Sequence, residues 1–187
     1  MNRRKYETKR LILRPLICSD YKEWKKYFTG LDPKKSKYDR APMPKASCSR
    51  SDYMTVIRRH RKVASEDKCY IYGAFLKDSG ILIGILDISI ISRGWYEMAN
   101  LGYQIGNCYW GKGYGKEMVE ESFGFSKNDL KIHRLEAAIN LDNKPSINLA
   151  KSLGMRKEGI KKGYIFENDK WIDHVIYVFL ANPTSKI

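Results

Sequence analysis

The chain lacks the marks of several large protein classes. Its four cysteines, Cys18, Cys48, Cys69 and Cys108, stand apart and form no Cys-x-x-Cys pair. That argues against a zinc knuckle or a disulfide scaffold and for reduced thiols. No run approaches the roughly 18 uninterrupted apolar residues of a membrane helix. The basic start, Met1 to Arg10, leads into no apolar segment long enough for a secretory signal. A cytoplasmic protein with no membrane partner and no metal is therefore expected. Repeats, low-complexity runs and linker-like stretches are absent too, so residues 1–187 are expected to form one domain.

Acidic residues are scarce. Against 35 Lys plus Arg there are 21 Asp plus Glu, a net charge of +14. Such an excess concentrates anionic partners of any kind, whether nucleotide-like cofactors, RNA or acidic proteins, without choosing among them. The basic residues fall in short clusters at 3–5, 34–37, 58–62 and 161–162, with no arginine-rich tail. Solvated faces account for most such clusters, and weak RNA or ribosome association through net charge stays open.

What is present alternates between periods of two and of 3.6. Residues 8–15 read as a strand with Leu11 and Leu13 on one face, ended by Pro15. Ser19 or Asp20 can cap a helix to Phe28. The Gly- and Pro-rich residues 30–44 read as a mobile loop, and Ser51 or Asp52 can cap a second helix to Ser65. Strands follow at 69–76, 81–91 and 100–105, the second apolar enough to be central. A helix over 115–127 carries Met118, Val119, Ser122, Phe123 and Phe125 inward. Strand 134–139 precedes a short helix with Pro145 in its first turn and Gly154 past its end, and a hairpin around residues 167–170 closes the chain. This is one mixed α/β domain.

The stretch from Asn100 to Lys127 carries the chemistry. An alternating strand runs into Gly111-Lys112-Gly113-Tyr114-Gly115 and then a helix, a recurrent way to bind phosphate: glycines let the backbone approach, and first-turn amides point at the anion. Residues 106–113 nearly match the phosphate loop G-x-x-x-x-G-K-S/T, but Gly113 stands where the magnesium-holding hydroxyl belongs, which excludes nucleoside triphosphate hydrolysis. A Rossmann site is excluded because the strands before the loop are joined by short turns and read as antiparallel. Cys108 reads as a small buried filler beside the loop.

Trp110-Gly111-Lys112-Gly113-Tyr114-Gly115 resembles the Gln/Arg-x-x-Gly-x-Gly/Ala acyl-CoA pyrophosphate loop of the GNAT acetyltransferases. With Leu101-Gly102-Tyr103 before it, it is similar to the ribosomal-protein (RimJ/RimL-type) branch. Residues 9–14, Asn143-x-x-Ser146, Leu153-Gly154-Met155 and Glu158-Gly159 fit that branch at the right spacing, so the resemblance spans essentially the whole chain. It implies a single GNAT-type domain with a central mixed, mostly antiparallel and splayed sheet of about seven strands flanked by about four helices.

The resemblance also implies acetyl-CoA as co-substrate and no metal. Gln104 and Ile105 would pair with the pantetheine arm, and Gly111 to Lys116 would hold the pyrophosphate, with Trp110 beside it and Lys112 and Lys116 adding charge. Ser146 would protonate the departing thiolate, and Asn143 would hold pantetheine or order a water. Many relatives carry a Glu where this chain has Asn100, which cannot take a proton. Glu97 is the nearest carboxylate in sequence and is the candidate general base. Tyr103, Tyr164, His133 and His174 are expected to pack or bond locally. The implied reaction is direct acetyl transfer in a ternary complex to the N-terminal α-amine of a (ribosomal) protein. The alternatives are a small amine such as an aminoglycoside or polyamine, and a basic RNA- or ribosome-binding domain without activity. A homodimer is compatible with either.

Overall fold

The predicted changes of period become strands and helices at nearly the predicted places in the computed structural model, which describes residues 5–181. Strands β1 (Tyr6–Glu7) and β2 (Leu11–Arg14) precede helices α1 (Tyr21–Thr29) and α2 (Arg50–Ser65). Then come β3 (Cys69–Leu76), β4 (Leu82–Ser92), β5 (Met98–Ile105) and α3 (Tyr114–Asn128). The chain continues through β6 (Arg134–Asn140), α4 (Lys144–Ser152), β7 (Arg156–Glu167) and β8 (Lys170–Leu180). The strands hydrogen-bond in the order β1-β2-β3-β4-β5-β6-β8-β7, a sheet of eight rather than seven. The added strand, β1, pairs antiparallel with β2, Tyr6 opposite Leu13. Two residues are too few to show an alternation, so periodicity could not reveal it.

The sheet is mixed, as expected. The β5–β6 pair is parallel, whereas β2–β3, β6–β8 and β7–β8 are antiparallel. The parallel register covers Met98 to Asn100 against Arg134 to Glu136, although β5 itself continues to Ile105. The described residues group into two compact units, one of 5–88 with 103–121 and one of 89–102 with 122–181.

In the first unit Trp24, Tyr27 and Phe28 of α1 join Tyr53 and Ile57 of α2 over Phe75 and Leu82. The ring centroids of Trp24 and Tyr53 lie 5.0 Å apart. Each such fully buried side chain contributes about 1.5–3 kcal/mol, which makes this face the main support of the unit. Two helix caps differ from expectation. Ser49, not Ser51 or Asp52, caps α2: its hydroxyl accepts the Asp52 amide at 3.2 Å, and the Asp52 carboxylate accepts the Ser49 amide at 2.9 Å. Asp52 is therefore the far half of a capping box. Asp20 stands before α1 without a capping bond, because its carboxylate is committed to Arg14 at 2.6 and 2.8 Å and to the Ile17 amide at 2.9 Å.

In the second unit every side chain from Val175 to Val178 on β8 is buried, and Phe123 stacks on Phe179 with centroids 4.2 Å apart. The Glu136 side chain, 3% exposed, is held between Arg134 (2.6 Å) and Lys161 (2.8 Å). Burial pushes its carboxyl up, but the bonds from Lys161 and Arg134 outweigh that and leave its pKa below the ordinary value.

Candidate active site

The glycine loop lies in the first unit and is built from β5 onward. At its mouth Gly106 donates to the Ile83 carbonyl at 2.9 Å, and a Cβ there would lie 3.1 Å from Leu31 and 3.2 Å from Tyr27. A side chain there would have to push both neighbours back by a few tenths of an ångström. A 3-10 turn, Asn107–Tyr109, follows, and the Trp110 indole donates to the Ile105 carbonyl at 2.8 Å, folding the ring back onto the strand end. Gly111 and Gly113 both take left-handed backbone, φ 77° and 80°, where an L side chain costs about 1–2 kcal/mol. Two left-handed turns within three residues bring the chain into α3 with its amides leading. The Glu117 amide is the first to find an intrahelical acceptor, Gly113 O at 3.2 Å. The amides of Tyr114, Gly115 and Lys116 have no such acceptor, which is the arrangement that takes an anion. Lys112 and Lys116 are exposed.

Two residues that were not singled out brace this helix start. The Arg10 guanidinium donates to Glu117 Oε2 at 2.7 Å and to the Lys112 carbonyl at 2.9 Å, and lies 4.4 Å above the Tyr114 ring. Glu117 also accepts the Arg10 amide at 2.6 Å and the Thr8 hydroxyl. Burial pushes the Glu117 carboxyl up, but its bonds from Thr8 and Arg10 win and hold it below the ordinary value. Arg10 lies within the residue 9–14 motif, and Glu117 is an acidic residue in a helix's first turn. Those signals were available.

Asn107 gave no such signal, yet it organises the neighbouring loop. It is 2% exposed and spends its whole side-chain amide on residues 32–39. Its Oδ1 accepts the Asp32 amide at 2.9 Å, while Nδ2 donates to the carbonyls of Asp32 (2.9 Å) and Pro33 (3.3 Å) and to Asp39 Oδ2 (2.7 Å). Met43 further donates to Phe28 O at 2.7 Å. The segment expected as a mobile loop is tied down, since a buried asparagine supplies the partners that regular structure would have given. Cys108, expected as buried filler, is exposed.

The remaining candidates lie in the second unit. Asn143 caps α4, its Oδ1 accepting the Ser146 amide at 3.3 Å, and Ser146 is half-buried at the third helical position. Glu97 sits in a tight turn at φ 39°. Its carboxylate accepts from Arg93 at 2.8 Å and from the Gly94 amide at 2.9 Å, and its carbonyl accepts the amides of His133 and Arg134. Both carboxylate oxygens are thus engaged in holding the turn. Asn100 presents the opposite case: its Oδ1 is buried with no partner among the described residues. A buried acceptor left unmatched costs about 1–3 kcal/mol. His174, 1% exposed, is bonded locally, Nδ1 to the Ile172 carbonyl at 3.0 Å, with Tyr164 edge-on beside it. Among the described residues no cluster of three or more His, Cys, Asp or Glu could hold a metal, and no helix is long and apolar enough to cross a membrane.

The sequence profile described as Acetyltransferase (GNAT) domain matches residues 10–156. An uncharacterised N-acetyltransferase, p20, of Bacillus licheniformis is 28% identical over 173 residues, 92% of each chain. The [ribosomal protein uS5]-alanine N-acetyltransferase of Escherichia coli is 32% identical over 111 residues, 59% of this chain and 57% of that one. Mycobacterium smegmatis RimJ, solved in complex with CoA-disulfide, superposes with a TM-score of 0.81 at 19% identity, covering 99% of this chain and 91% of that one.

Proposed function

Since the chain belongs to the GNAT acetyltransferase family, we propose that this N-acetyltransferase moves the acetyl group of acetyl-CoA to the N-terminal α-amine of a protein, with ribosomal proteins the favoured class. One observation carries the cofactor half of this reading. The loop joins two left-handed glycines to a helix start with three amides lacking intrahelical acceptors, and Arg10 and Glu117 hold it in that form. A pyrophosphate fits there because the backbone itself supplies the donors, with Lys112 and Lys116 as added charge. Because the β5–β6 register ends at Asn100, Gln104 and Ile105 are the proposed contacts of the pantetheine arm, the Ile105 carbonyl already accepting the Trp110 indole. Residues 1–187 then work as one acetyltransferase domain.

Acetyl-CoA supplies an activated thioester. The chain's part is to bind it, place a neutral amine against its carbonyl carbon, and protonate the sulfur as the C–S bond breaks. Ser146 is the proposed proton donor. Asn143 orients it through the helix cap and is the proposed pantetheine contact. Glu97 was the expected base, but with both oxygens committed to Arg93 and Gly94 the proposed reaction runs without it. An α-amine, with a pKa near 8 against about 10.4 for lysine, is appreciably neutral near pH 7 and can lose its proton to solvent. That favours an N-terminus over a lysine or polyamine.

The test is a melting curve with acetyl-CoA followed by turnover on peptides. Acetyl-CoA at millimolar concentration raises the melting temperature of the wild type, and Gly113→Arg abolishes the shift. With acetyl-CoA bound, peptides carrying a free N-terminal alanine or serine release CoA thiol, and their N-blocked, lysine-containing counterparts do not. No thermal shift overturns the cofactor assignment. A shift with turnover only on polyamines or aminoglycosides overturns the acceptor.

A further inference from the structure

The first unit holds a cavity of about 670 Å³ that the acetyl-transfer reading leaves unused. Its walls come from the end of β2 and the 3-10 turn after it (Arg14 to Ser19), the start of β3 (Tyr70 to Tyr72), the last turns of α2 (His60, Arg61, Ala64) and Lys5. The glycine loop is braced from Arg10, at the opposite end of β2. The volume falls within the ordinary range for small-molecule sites, about 300–1,000 Å³.

The lining has one sign of charge. Lys5, Arg14 and Arg61 contribute cations, and no Asp or Glu is among the lining residues. Two of those cations are already matched, Lys5 by Glu7 at 2.6 Å and Arg14 by Asp20 at 2.6 Å. Arg61 stands exposed at the cavity mouth and makes no hydrogen bond or ion pair with a described residue, and its neighbour His60 has a buried Nδ1 without a partner among them. Burial, then the charge of Arg59, pushes the His60 pKa down to about 4, so the ring is neutral at pH 7 and offers an uncharged polar contact. Pro15, Leu16, Ile17, Ile71 and Ala64 make the rest of the wall largely apolar, beside Cys18, Ser19, Tyr70 and Tyr72. A cavity with apolar walls, an unmatched guanidinium and no carboxylate suits a ligand with an apolar body and one anionic head.

We propose that this cavity is a second small-molecule site, separate from the glycine loop, which takes an organic monoanion such as an alkyl or aryl carboxylate, its head on Arg61 and its body between Ile17, Ile71 and Ala64. The proposal does not depend on acetyl transfer.

The probes are three ten-carbon amphiphiles, decanoate, decanol and decyltrimethylammonium, titrated calorimetrically into the full chain below their micelle concentrations. Decanoate binds one per chain, and the neutral and cationic probes bind at least about tenfold more weakly, the loss of one charge-assisted contact. Arg61→Ala weakens decanoate by about the same factor, and Arg61→Lys restores part of it. Ala64→Trp, which fills the cavity, abolishes binding; Ile17→Trp at the rim serves the same purpose should circular dichroism show Ala64→Trp unfolded. Equal binding of all three probes, no binding of decanoate, or decanoate binding that survives a filled cavity each overturns the proposal.

Discussion

At Gly113 the backbone sits at φ 80°, and an added Cβ would stand 3.4 Å from Arg10 Nη2. Gly113→Ala should therefore strain the loop by about 1–2 kcal/mol and weaken acetyl-CoA roughly tenfold by calorimetry. Gly124 in the same helix is the control. An added Cβ there meets nothing within 4 Å, so Gly124→Ala should raise stability by up to about 1 kcal/mol and leave binding unchanged. Equal effects at both positions would mean the loop's conformation is irrelevant to the cofactor. Glycines announce such conformations in the sequence, which is why the backbone of this part of the candidate site was legible. The state of the asparagine at 100 was not, since residue type says that it cannot take a proton but not that its oxygen is buried and unmatched. With Glu97 held by Arg93 and Gly94, and solvent the proposed acceptor of the proton, kcat/KM for an alanyl peptide should rise with a single inflection near the amine pKa of about 8. An inflection at about pH 5–6 in the wild type would show a carboxylate at work. Ser146→Ala should lower kcat by about 10²-fold or more with acetyl-CoA affinity little changed, and unchanged turnover would remove Ser146 from the reaction.

The elements were legible where period and caps agree, as in α3, whose stripe of Met118, Val119, Ser122, Phe123 and Phe125 is buried as expected. They were not where a long-range side chain replaces local signals. Asn107 fastening residues 32–39 is one such case, and Arg10 fastening the start of α3 across 107 residues of sequence to Glu117 is another. The second has a pH signature. The Glu117 carboxyl titrates in the folded protein below its ordinary value of 4.5. The stability it contributes is therefore present above that value and is lost as the pH falls through the folded pKa. Denaturant melts taken from pH 6 down to pH 3 should show Glu117→Gln less stable than wild type by about 1 kcal/mol at pH 6, since Arg10 is partly exposed and screened. The gap should close toward pH 3. A gap that persists at pH 3 would locate the effect in packing rather than in the charge.

Across the whole molecule the order of elements could be read in advance because each change of period is local, whereas the strand order could not be proved from sequence because pairing is not. The parallel register of β5 with β6, three residue pairs ending at Asn100, rests on chain segments about 35 residues apart. Net charge, by contrast, is fixed by composition alone, and it makes a prediction that no single contact makes. At +14 the protein should draw the CoA anion in over distances longer than any hydrogen bond. Stopped-flow association of acetyl-CoA should slow about tenfold between roughly 20 and 300 mM salt, as the screening length shrinks from about 20 Å to about 6 Å, while the dissociation rate stays within about twofold. Lys112→Gln combined with Lys116→Gln separates the long-range field from local contact. If the backbone amides of the loop hold the pyrophosphate, this pair slows association modestly and barely changes dissociation. Dissociation accelerated by tenfold or more would instead make the two lysines the grip and the amides their scaffold, and the cofactor site would then be a cationic clamp set on a glycine turn.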